Sequence, residues 1–322
     1  MEKQIKLSVC IAVYNHWDYI EECLDSFIKY ENNDLLELVI VNDCSTDNTD
    51  KVINERMKKD YKFSVKYFVN EKNLWQVKTL SKAVENSSWE LITFMDSDDF
   101  LIQSSLSKKL KEFENNKNLK IIYSNWVFFK SWKLWKQWFH DYLKNILDKD
   151  PKEIENYFKS NTPLLSISCA VIKKDFFLSV WWFDTSWLSN DWVTNIKVFE
   201  KIKNKNEFLI DYTPVFWYRI HNNNISQNPE LQFNLLSHVI NNYCLEDAKR
   251  KLFIQALFVT CIRYKMKNDK KKRKKYLNKL LKEKAYLHYI VSSFCCLIPT
   301  QLLLKFSDFF WNIKQFFKWK IF

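Results

Sequence analysis

The residues best suited to chemistry lie in the segment TFMDSDDF at 93–100, directly after an apolar run. Asp96 and Asp98 are two residues apart, so their carboxylates can jointly face a divalent cation and the ribose of a nucleotide. Hard oxygen ligands suit Mg²⁺ or Mn²⁺ that also binds a diphosphate, and such a cation neutralises charge on a departing diphosphate. Taken alone, the motif is equally compatible with a solvated acidic turn.

A second cluster pairs Tyr14 and Asn15, at the end of the apolar run 6–14, with Asn42 and Asp43, after the run 36–41. A tyrosine at a strand end can stack on a nucleobase, while Asp43 and nearby backbone groups hydrogen-bond to its edge. The alternative is a tyrosine that covers the sheet edge and an aspartate that caps the next helix.

The elements that carry these residues alternate between strand and helix over the first hundred residues. Apolar runs predict strands at 6–14, 36–41, 64–69 and 90–95, with helices around 19–28, 48–59 and 76–86. This alternation predicts a doubly wound α/β sheet, whose ligands bind beyond the carboxyl ends of the strands. All the polar clusters named above follow predicted strands.

The rest of the chain predicts a mixed region and then a helical one. Residues 101–228 predict a helix near 104–115, a strand at 120–123, a hairpin from 127–130 that turns at 131–132, a strand at 167–172, a helix after 190–191, and strands at 208–210 and 215–220. From 229 onward the pattern is helical. We therefore divide the chain into 1–100, 101–228 and 229–322.

Composition indicates a globular protein whose charge is unevenly distributed. Hydrophobic residues make up 47% of the chain and charged residues 27%, which excludes a disordered chain. The eight cysteines show no metal-type CxxC pairing, so their scatter favours a reducing compartment. Residues 229–322 hold 19 basic and 6 acidic residues, a net charge of +13, whereas residues 1–228 hold 31 and 32, a net charge of −1.

The chain contains no glycine but 14 tryptophans. At the usual share of roughly 7%, about 22 glycines are expected, because tight turns use glycine to reach positive φ. Tryptophan stands where turns are expected, including positions 17, 132 and 181–182. We interpret many of these positions as glycine in the natural protein, through a UGA codon read as tryptophan. A truly glycine-free protein is the alternative.

Together, AVYN at 12–15, VNDCSTDN at 41–48, the segment 73–78 and TFMDSDDF resemble the family 2 glycosyltransferases with the GT-A fold. The resemblance covers roughly 6–228. It implies an α/β, doubly wound mixed sheet with a Rossmann-like nucleotide-sugar-binding half at 1–100, an acceptor-binding and catalytic half at 101–228, and a C-terminal helical extension. Members of the family usually have glycine where Trp75, Trp89, Trp181 and Trp182 stand.

The resemblance also implies roles for residues in the first half. Ala12, Tyr14 and Asp43 match positions that bind the nucleotide base. Asp96 and Asp98 match the DxD pair that meets the ribose, the diphosphate and a divalent Mn²⁺ or Mg²⁺, with Asp98 as the direct ligand.

Residues in the second half receive roles in the same way. Asp191 matches the catalytic base, although Asn190 stands where the family usually has glutamate. Arg219 and His221 match a late Arg-x-His segment that closes over the diphosphate, with His221 as a metal ligand. Leu80 stands where many members have arginine, so that contact is expected to be absent.

The implied activity is inverting transfer of a sugar from a nucleotide-sugar, a UDP-sugar in our interpretation, to a hydroxyl of a cell-surface polysaccharide or glycolipid precursor. A carboxylate can take the proton of an acceptor hydroxyl as it attacks the anomeric carbon. One base and one metal-held leaving group allow a single displacement, so the configuration inverts.

The sequence pattern of the C-terminal region indicates a separate binding partner for that region. Apolar and aromatic residues recur at three- and four-residue steps over 302–321, beside the basic run at 265–275. An amphipathic helix next to a polybasic run suits an anionic membrane surface, which predicts a cytoplasmic protein held peripherally on the inner face of the membrane. A helix packed on the catalytic domain is the alternative.

Two other classes of function remain as alternatives. A nucleotidyltransferase also uses strand-end carboxylates and a metal, but residues 14–20 supply no phosphate loop. A nucleic-acid-binding protein would explain the basic charge. We expect no nucleic acid partner, because the first 228 residues have a net charge of −1.

Overall fold

The computed structural model describes residues 6–31, 34–59, 61–130, 133–137, 141–162, 165–181, 191–221, 224 and 227–294. The chain divides into two compact units. The first comprises Met1–Phe158 and Pro163–His221, and the second comprises Lys159–Thr162 and Asn222–Phe322.

Over the described residues, the first unit forms a nine-stranded mixed α/β sheet. The strands are β1 Leu7–Val13, β2 Leu36–Asn42, β3 Ser64–Val69, β4 Leu91–Phe94, β5 Phe100–Leu101, β6 Ile121–Lys130, β7 Lys133–Gln137, β8 Val171–Lys173 and β9 Phe208–Arg219. Their order is β3-β2-β1-β4-β8-β6-β9-β5, with β7 paired to β6.

The first four strands are parallel neighbours and create the edge on which the polar clusters lie. β1 pairs with β2 on one side and β4 on the other, and β3 pairs with β2. β1, β2 and β4 are buried almost throughout, as expected of parallel strands covered on both faces. The helices α1 Ile20–Tyr30, α2 Thr49–Arg56 and α3 Trp75–Glu85 alternate with them, as the sequence predicts.

The second half of the sheet is mixed, and its helices are α4 Leu106–Asn115, α5 Asp141–Leu147, α6 Pro151–Ser160, α7 Lys174–Trp181 and α8 Asp191–Lys201. β8 runs antiparallel to β4 and β6, whereas β9 runs parallel to β6. The separate strands predicted at 120–123 and 127–130 are one strand, β6, and those predicted at 208–210 and 215–220 are one strand, β9. The predicted hairpin between β6 and β7 forms, and its turn at 131–132 lies outside the described residues.

One predicted strand, 167–172, is wrong over most of its length. Only its last two residues belong to β8, because Cys169 adopts a left-handed backbone with φ 55° that interrupts an extended chain. The preceding residues form a loop beside the end of β4, where Cys169 N donates to the Phe94 carbonyl at 2.7 Å.

The second unit is helical over its described part. Its helices are α9 Pro229–Tyr243, α10 Glu246–Met266, α11 Lys270–Lys282 and α12 Tyr286–Phe294. Asn228 and Asp269 cap α9 and α11, each accepting a hydrogen bond from a backbone N–H three residues on. Among the described helices, none combines the length and the hydropathy needed to cross a bilayer. The amphipathic pattern predicted over 302–321 lies outside the described residues.

One tryptophan has the backbone of a glycine position. Trp75 begins α3 with φ 69°, and its side chain is 65% exposed. A side chain makes this left-handed conformation unfavourable by roughly 1–2 kcal/mol, and exposure gives Trp75 little packing in return. This geometry agrees with the interpretation of position 75 as a natural glycine.

Candidate functional site

The turn after β4 holds three carboxyl groups within four residues. Met95 N donates to the Cys10 carbonyl of β1, and Asp99 N donates to the Asp96 carbonyl at 3.0 Å, which closes the turn. Asp98 and Asp99 are buried, whereas Asp96 is half-buried. The predicted DxD pair therefore projects from a tight, buried turn at the carboxyl edge of the sheet.

Asp98 meets two histidines from distant parts of the chain. His221 Nε2 lies 2.8 Å from Asp98 Oδ2, and His16 follows the end of β1. One ligand atom from each of these three side chains lies within 4.8 Å of the other two. Cation–ligand distances for imidazole and carboxylate are about 2.0–2.2 Å, so small side-chain rotations suffice to surround one ion. The donor set therefore fits a divalent cation.

The ring of His16 is fixed from the turn itself, because its Nδ1 lies 2.8 Å from Ser97 Oγ. Burial lowers the pKa of His16, although the nearby charge of Asp98 opposes that effect. At neutral pH the ring is therefore uncharged, which is the form that binds metals.

The three carboxyl groups have different proton affinities. Burial, followed by the charges of Asp98 and Asp96, raises the pKa of Asp99 well above its ordinary value. Burial would also raise the pKa of Asp98, but the hydrogen bond from His221 and the positive charge that His16 carries when protonated at acidic pH outweigh it and lower that pKa. Asp98 is therefore the carboxylate of the turn that carries negative charge most readily.

Asp96 is held by two side chains. Gln76 Nε2 donates to Asp96 Oδ1 at 3.1 Å, and Ser168 Oγ donates to Asp96 Oδ2 at 2.8 Å. Burial and the charge of Asp98 raise the pKa of Asp96 to about 7, and these two hydrogen bonds oppose the increase. The nearby charge of Asp191 raises it further, so the DxD turn and the predicted base belong to one site.

Asp191 is the first residue of α8 and faces the loop before β8. Its Oδ1 lies 3.4 Å from Ile167 N. Burial raises its pKa from 3.8 to about 6, and hydrogen bonds from Ser166 and Ile167 limit the increase. The start of α8 is anchored by Trp192, whose Nε1 donates to the Phe158 carbonyl at 2.7 Å. Residues 182–190, including Asn190, lie outside the described part of the chain.

Arg219 sits at the end of β9 and organises the acidic turn. Its Nε donates to the Asp98 carbonyl at 2.7 Å, and its backbone N donates to Asp99 Oδ1 at 2.8 Å. Its Nη2 lies 2.5 Å from Glu22 Oε2, and its guanidinium lies 5.1 Å from the ring centre of Tyr19. These contacts position the turn, while the diphosphate contact implied by the resemblance stays a prediction.

The residues predicted to bind the nucleotide base lie at the same sheet edge. Tyr14 is 42% exposed beyond the end of β1, so its ring face is available for stacking, and Ala12 is half-buried within that strand. Asp43 is buried after β2, where its Oδ1 accepts hydrogen bonds from Asn70 Nδ2 and Leu74 N, both at 2.8 Å. Asp43 therefore also fixes the start of α3.

Four residues around the acidic turn are not predicted from the sequence: His16, Glu22, Gln76 and Ser168. His16 had a usable signal, because it directly follows the strand-end pair Tyr14-Asn15. Ser168 was not predicted, because the sequence pattern placed it inside a strand at 167–172 and not in a loop next to Asp96. Glu22 had no local signal, since its partner Arg219 is 197 residues away.

Comparisons with known sequences place the chain among sugar transferases. Residues 8–181, more than half of the chain, match the family described as Glycosyl transferase family 2. An uncharacterised glycosyltransferase of Methanocaldococcus jannaschii is 25% identical over 312 residues, which cover 96% of this chain and 94% of that protein.

Solved structures share the fold, and GT-A glycosyltransferases are its structural neighbours. Staphylococcus aureus TarS in complex with UDP-GlcNAc has a TM-score of 0.55 at 17% identity, covering 87% of this chain and 80% of that one. A Pyrobaculum calidifontis mannosyltransferase in complex with GDP-Man and Mn²⁺ has a TM-score of 0.55 at 13% identity, covering 92% and 88%. The predicted GT-A fold is confirmed.

Proposed function

The chain belongs to glycosyl transferase family 2, and we propose that it transfers a sugar from a nucleotide-sugar to an acceptor hydroxyl with inversion of configuration. One observation carries this proposal: the carboxylates of Asp96, Asp98 and Asp191, from two different elements, converge at the carboxyl edge of a GT-A sheet. Such a site can hold a leaving diphosphate on one side and activate a hydroxyl on the other.

The donor lies along the carboxyl ends of β1, β2 and β4 in this proposal. Tyr14 stacks on the base, Asp43 and the backbone near Ala12 contact its edge, and Asp96 meets the ribose. The base itself is proposed to be uracil. The two structural neighbours carry UDP-GlcNAc and GDP-Man, so the fold is compatible with either base.

Asp98, Asp96 and His221 are proposed to hold a divalent cation, Mn²⁺ or Mg²⁺. When bound, the cation would neutralise charge that develops on the diphosphate. The low pKa of Asp98 keeps its carboxylate ionised, and Arg219 fixes the backbone of the turn through the Asp98 carbonyl. The mannosyltransferase neighbour binds Mn²⁺ together with its nucleotide-sugar, which supports a cation at this edge.

Asp191 is proposed as the general base. Its pKa of about 6 leaves it ionised at neutral pH yet basic enough to accept a proton. A carboxylate that is partly withdrawn from water also gains by being neutralised as the acceptor oxygen attacks. One general base and one metal-held leaving group allow a single displacement, which inverts the anomeric carbon.

The acceptor is proposed to be a cell-surface polysaccharide or glycolipid precursor at a membrane. The basic α11 and the exposed side chains of Tyr286, Leu287 and Ile290 on α12 support an anionic membrane partner for the second unit. A cytoplasmic location, peripheral to the inner face of the membrane, is part of the same proposal.

Ligand-dependent melting tests the proposed class. Purified protein is melted with UDP, GDP, a nucleoside triphosphate or a short RNA, each with and without Mn²⁺. We expect a nucleoside diphosphate with Mn²⁺ to raise the melting temperature. At a ligand concentration of 100 times the dissociation constant, the free energy of unfolding should increase by about 2.7 kcal/mol. Stabilisation by the triphosphate alone favours the nucleotidyltransferase alternative, and stabilisation by RNA favours the nucleic-acid alternative.

A further inference from the structure

His16 stands out among the residues that neither the family match nor the DxD motif assigns. It lies in the loop after β1, 82 positions before Asp98 and 205 before His221. Nevertheless, the three side chains present one ligand atom each, and these atoms all lie within 4.8 Å of one another. We propose that His16 is a fourth protein ligand of the cation, beside Asp98, Asp96 and His221, and that this makes the site selective for Mn²⁺ over Mg²⁺. This inference rests on the proposed cation site.

The orientation of the two rings favours metal binding. Ser97 Oγ lies 2.8 Å from His16 Nδ1, so a proton on Nδ1 donated to Ser97 leaves the Nε2 lone pair for the cation. Metal-binding histidines characteristically donate their other nitrogen to a neighbour, which fixes the tautomer and the ring orientation. The ring of His221 is held by Tyr19, which stacks on it with centres 4.5 Å apart.

The two imidazoles also adopt a compatible arrangement with each other. Their ring centres are 6.0 Å apart and the rings are nearly perpendicular, at 89°. His221 Nε2 points at Asp98 Oδ2, so the Asp98 carboxylate and the two rings surround one small volume. The remaining positions around a six-coordinate ion are then available to diphosphate oxygens and water.

This donor set has a chemical consequence for metal choice. Oxygen ligands suit Mg²⁺, which loses its water reluctantly and binds through one or two carboxylates. Imidazole ligands favour first-row transition metals, and affinity rises from Mn²⁺ toward Cu²⁺. Two imidazoles among the protein ligands therefore select Mn²⁺ over the more abundant Mg²⁺. Removing one imidazole leaves a site closer to that of an ordinary magnesium enzyme.

The test counts the nitrogen ligands of Mn²⁺ bound to the full chain in the presence of UDP. Pulsed electron paramagnetic resonance detects the nitrogens that coordinate Mn²⁺. We expect two imidazole nitrogens in the parent protein and one in His16→Gln. The control, His238→Gln, removes a histidine from the second unit and should keep both.

A competition titration measures selectivity on the same samples. Loss of a residue that hydrogen-bonds to a metal ligand typically weakens metal binding by roughly 10–100-fold. Loss of the ligand His16 itself should weaken Mn²⁺ binding by at least as much. Mg²⁺ affinity should change far less, so the preference for Mn²⁺ over Mg²⁺ falls about tenfold or more. Circular dichroism and thermal melting verify that His16→Gln is folded.

Several results would overturn the proposal. A single nitrogen on Mn²⁺ in the parent protein excludes His16 or His221 as a ligand, and two nitrogens in folded His16→Gln exclude His16. Unchanged selectivity in that variant, or no Mn²⁺ binding by the parent with or without UDP, also contradicts it. None of these measurements needs a sugar donor. The ligand assignment can therefore fail while sugar transfer succeeds, and the reverse outcome is equally distinguishable.

Discussion

Replacing the proposed base, Asp191→Asn, should lower activity and raise stability at the same time. Burial raises the pKa of Asp191 from 3.8 to about 6. The ionised carboxylate is therefore less stable in the folded protein than in the unfolded chain, where water solvates it. Asparagine keeps the shape and can still accept from Ile167 N, but it carries no charge. The same substitution removes the group that takes the acceptor proton, and a positioned base contributes about 10²–10⁴-fold to rate.

The magnitude follows from the difference between the folded and unfolded pKa values. Each pKa unit corresponds to about 1.4 kcal/mol, so the ionised Asp191 destabilises the fold by up to about 3 kcal/mol. Because the folded pKa is the higher one, this destabilisation is complete above about pH 6 and disappears below the unfolded value near 4. The stability gained by Asp191→Asn should therefore be largest at pH 8, about half as large at pH 5, about a fifth as large at pH 4, and close to zero at about pH 3.

Thermal melts of both proteins across this pH range provide the assay. For a unit of this size, 1 kcal/mol shifts the melting temperature by about 2–4 °C, so a gain of several degrees at pH 8 is expected. The matched control is Asp175→Asn, an exposed aspartate in the first turn of α7, which should change stability by less than about 0.5 kcal/mol. A variant that is destabilised at pH 8, or whose gain does not depend on pH, refutes a raised pKa for Asp191. Near-normal transfer refutes its role as the base.

Three further perturbations have defined outcomes. Asp98→Asn should abolish Mn²⁺-dependent binding of UDP in a folded protein, and unchanged affinity by calorimetry would exclude the metal role. Trp75→Gly should increase the free energy of unfolding by about 1 kcal/mol, because glycine removes the left-handed strain. Trp17→Gly, at an exposed position without positive φ, should give no such increase. Equal effects of the two substitutions on the melting temperature would contradict the interpretation of position 75. Deleting residues 265–322 should release the protein from anionic vesicles and leave UDP affinity unchanged. The electrostatic part of vesicle binding by the intact protein should be lost as salt rises. An intact protein that does not bind such vesicles, together with a truncated form that melts at a lower temperature, would contradict the membrane proposal.

The parallel half of the sheet could be predicted from the sequence because its physics is local. Buried parallel strands are continuous apolar runs, and the runs that form β1, β2 and β4 each end in polar residues. Parallel strands present their carboxyl ends at one edge, so Tyr14, Asp43 and Asp96 had to lie together once the topology was known.

The contacts that complete the site could not be predicted in the same way. The apolar stretch around Ile167 has the composition of a buried strand, but the left-handed backbone of Cys169 interrupts it, and the resulting loop brings Ser168 to Asp96. Likewise, the Arg219–Glu22 ion pair joins residues that are 197 positions apart in the sequence. A motif identifies Arg219 as important, but its role in holding the acidic turn depends on tertiary packing.

Stereochemical analysis of the sugar product tests the central claim most directly. The protein is incubated with Mn²⁺ and a panel of nucleotide-sugars, with water as the acceptor, and nuclear magnetic resonance follows donor hydrolysis and the anomeric configuration of the free sugar before it mutarotates. We predict that one donor is consumed and that its α-linked sugar appears first in the β configuration, with Asp191→Asn at least about 10²-fold slower. Retention of the α configuration, or full activity in Asp191→Asn, would contradict a single displacement assisted by that carboxylate.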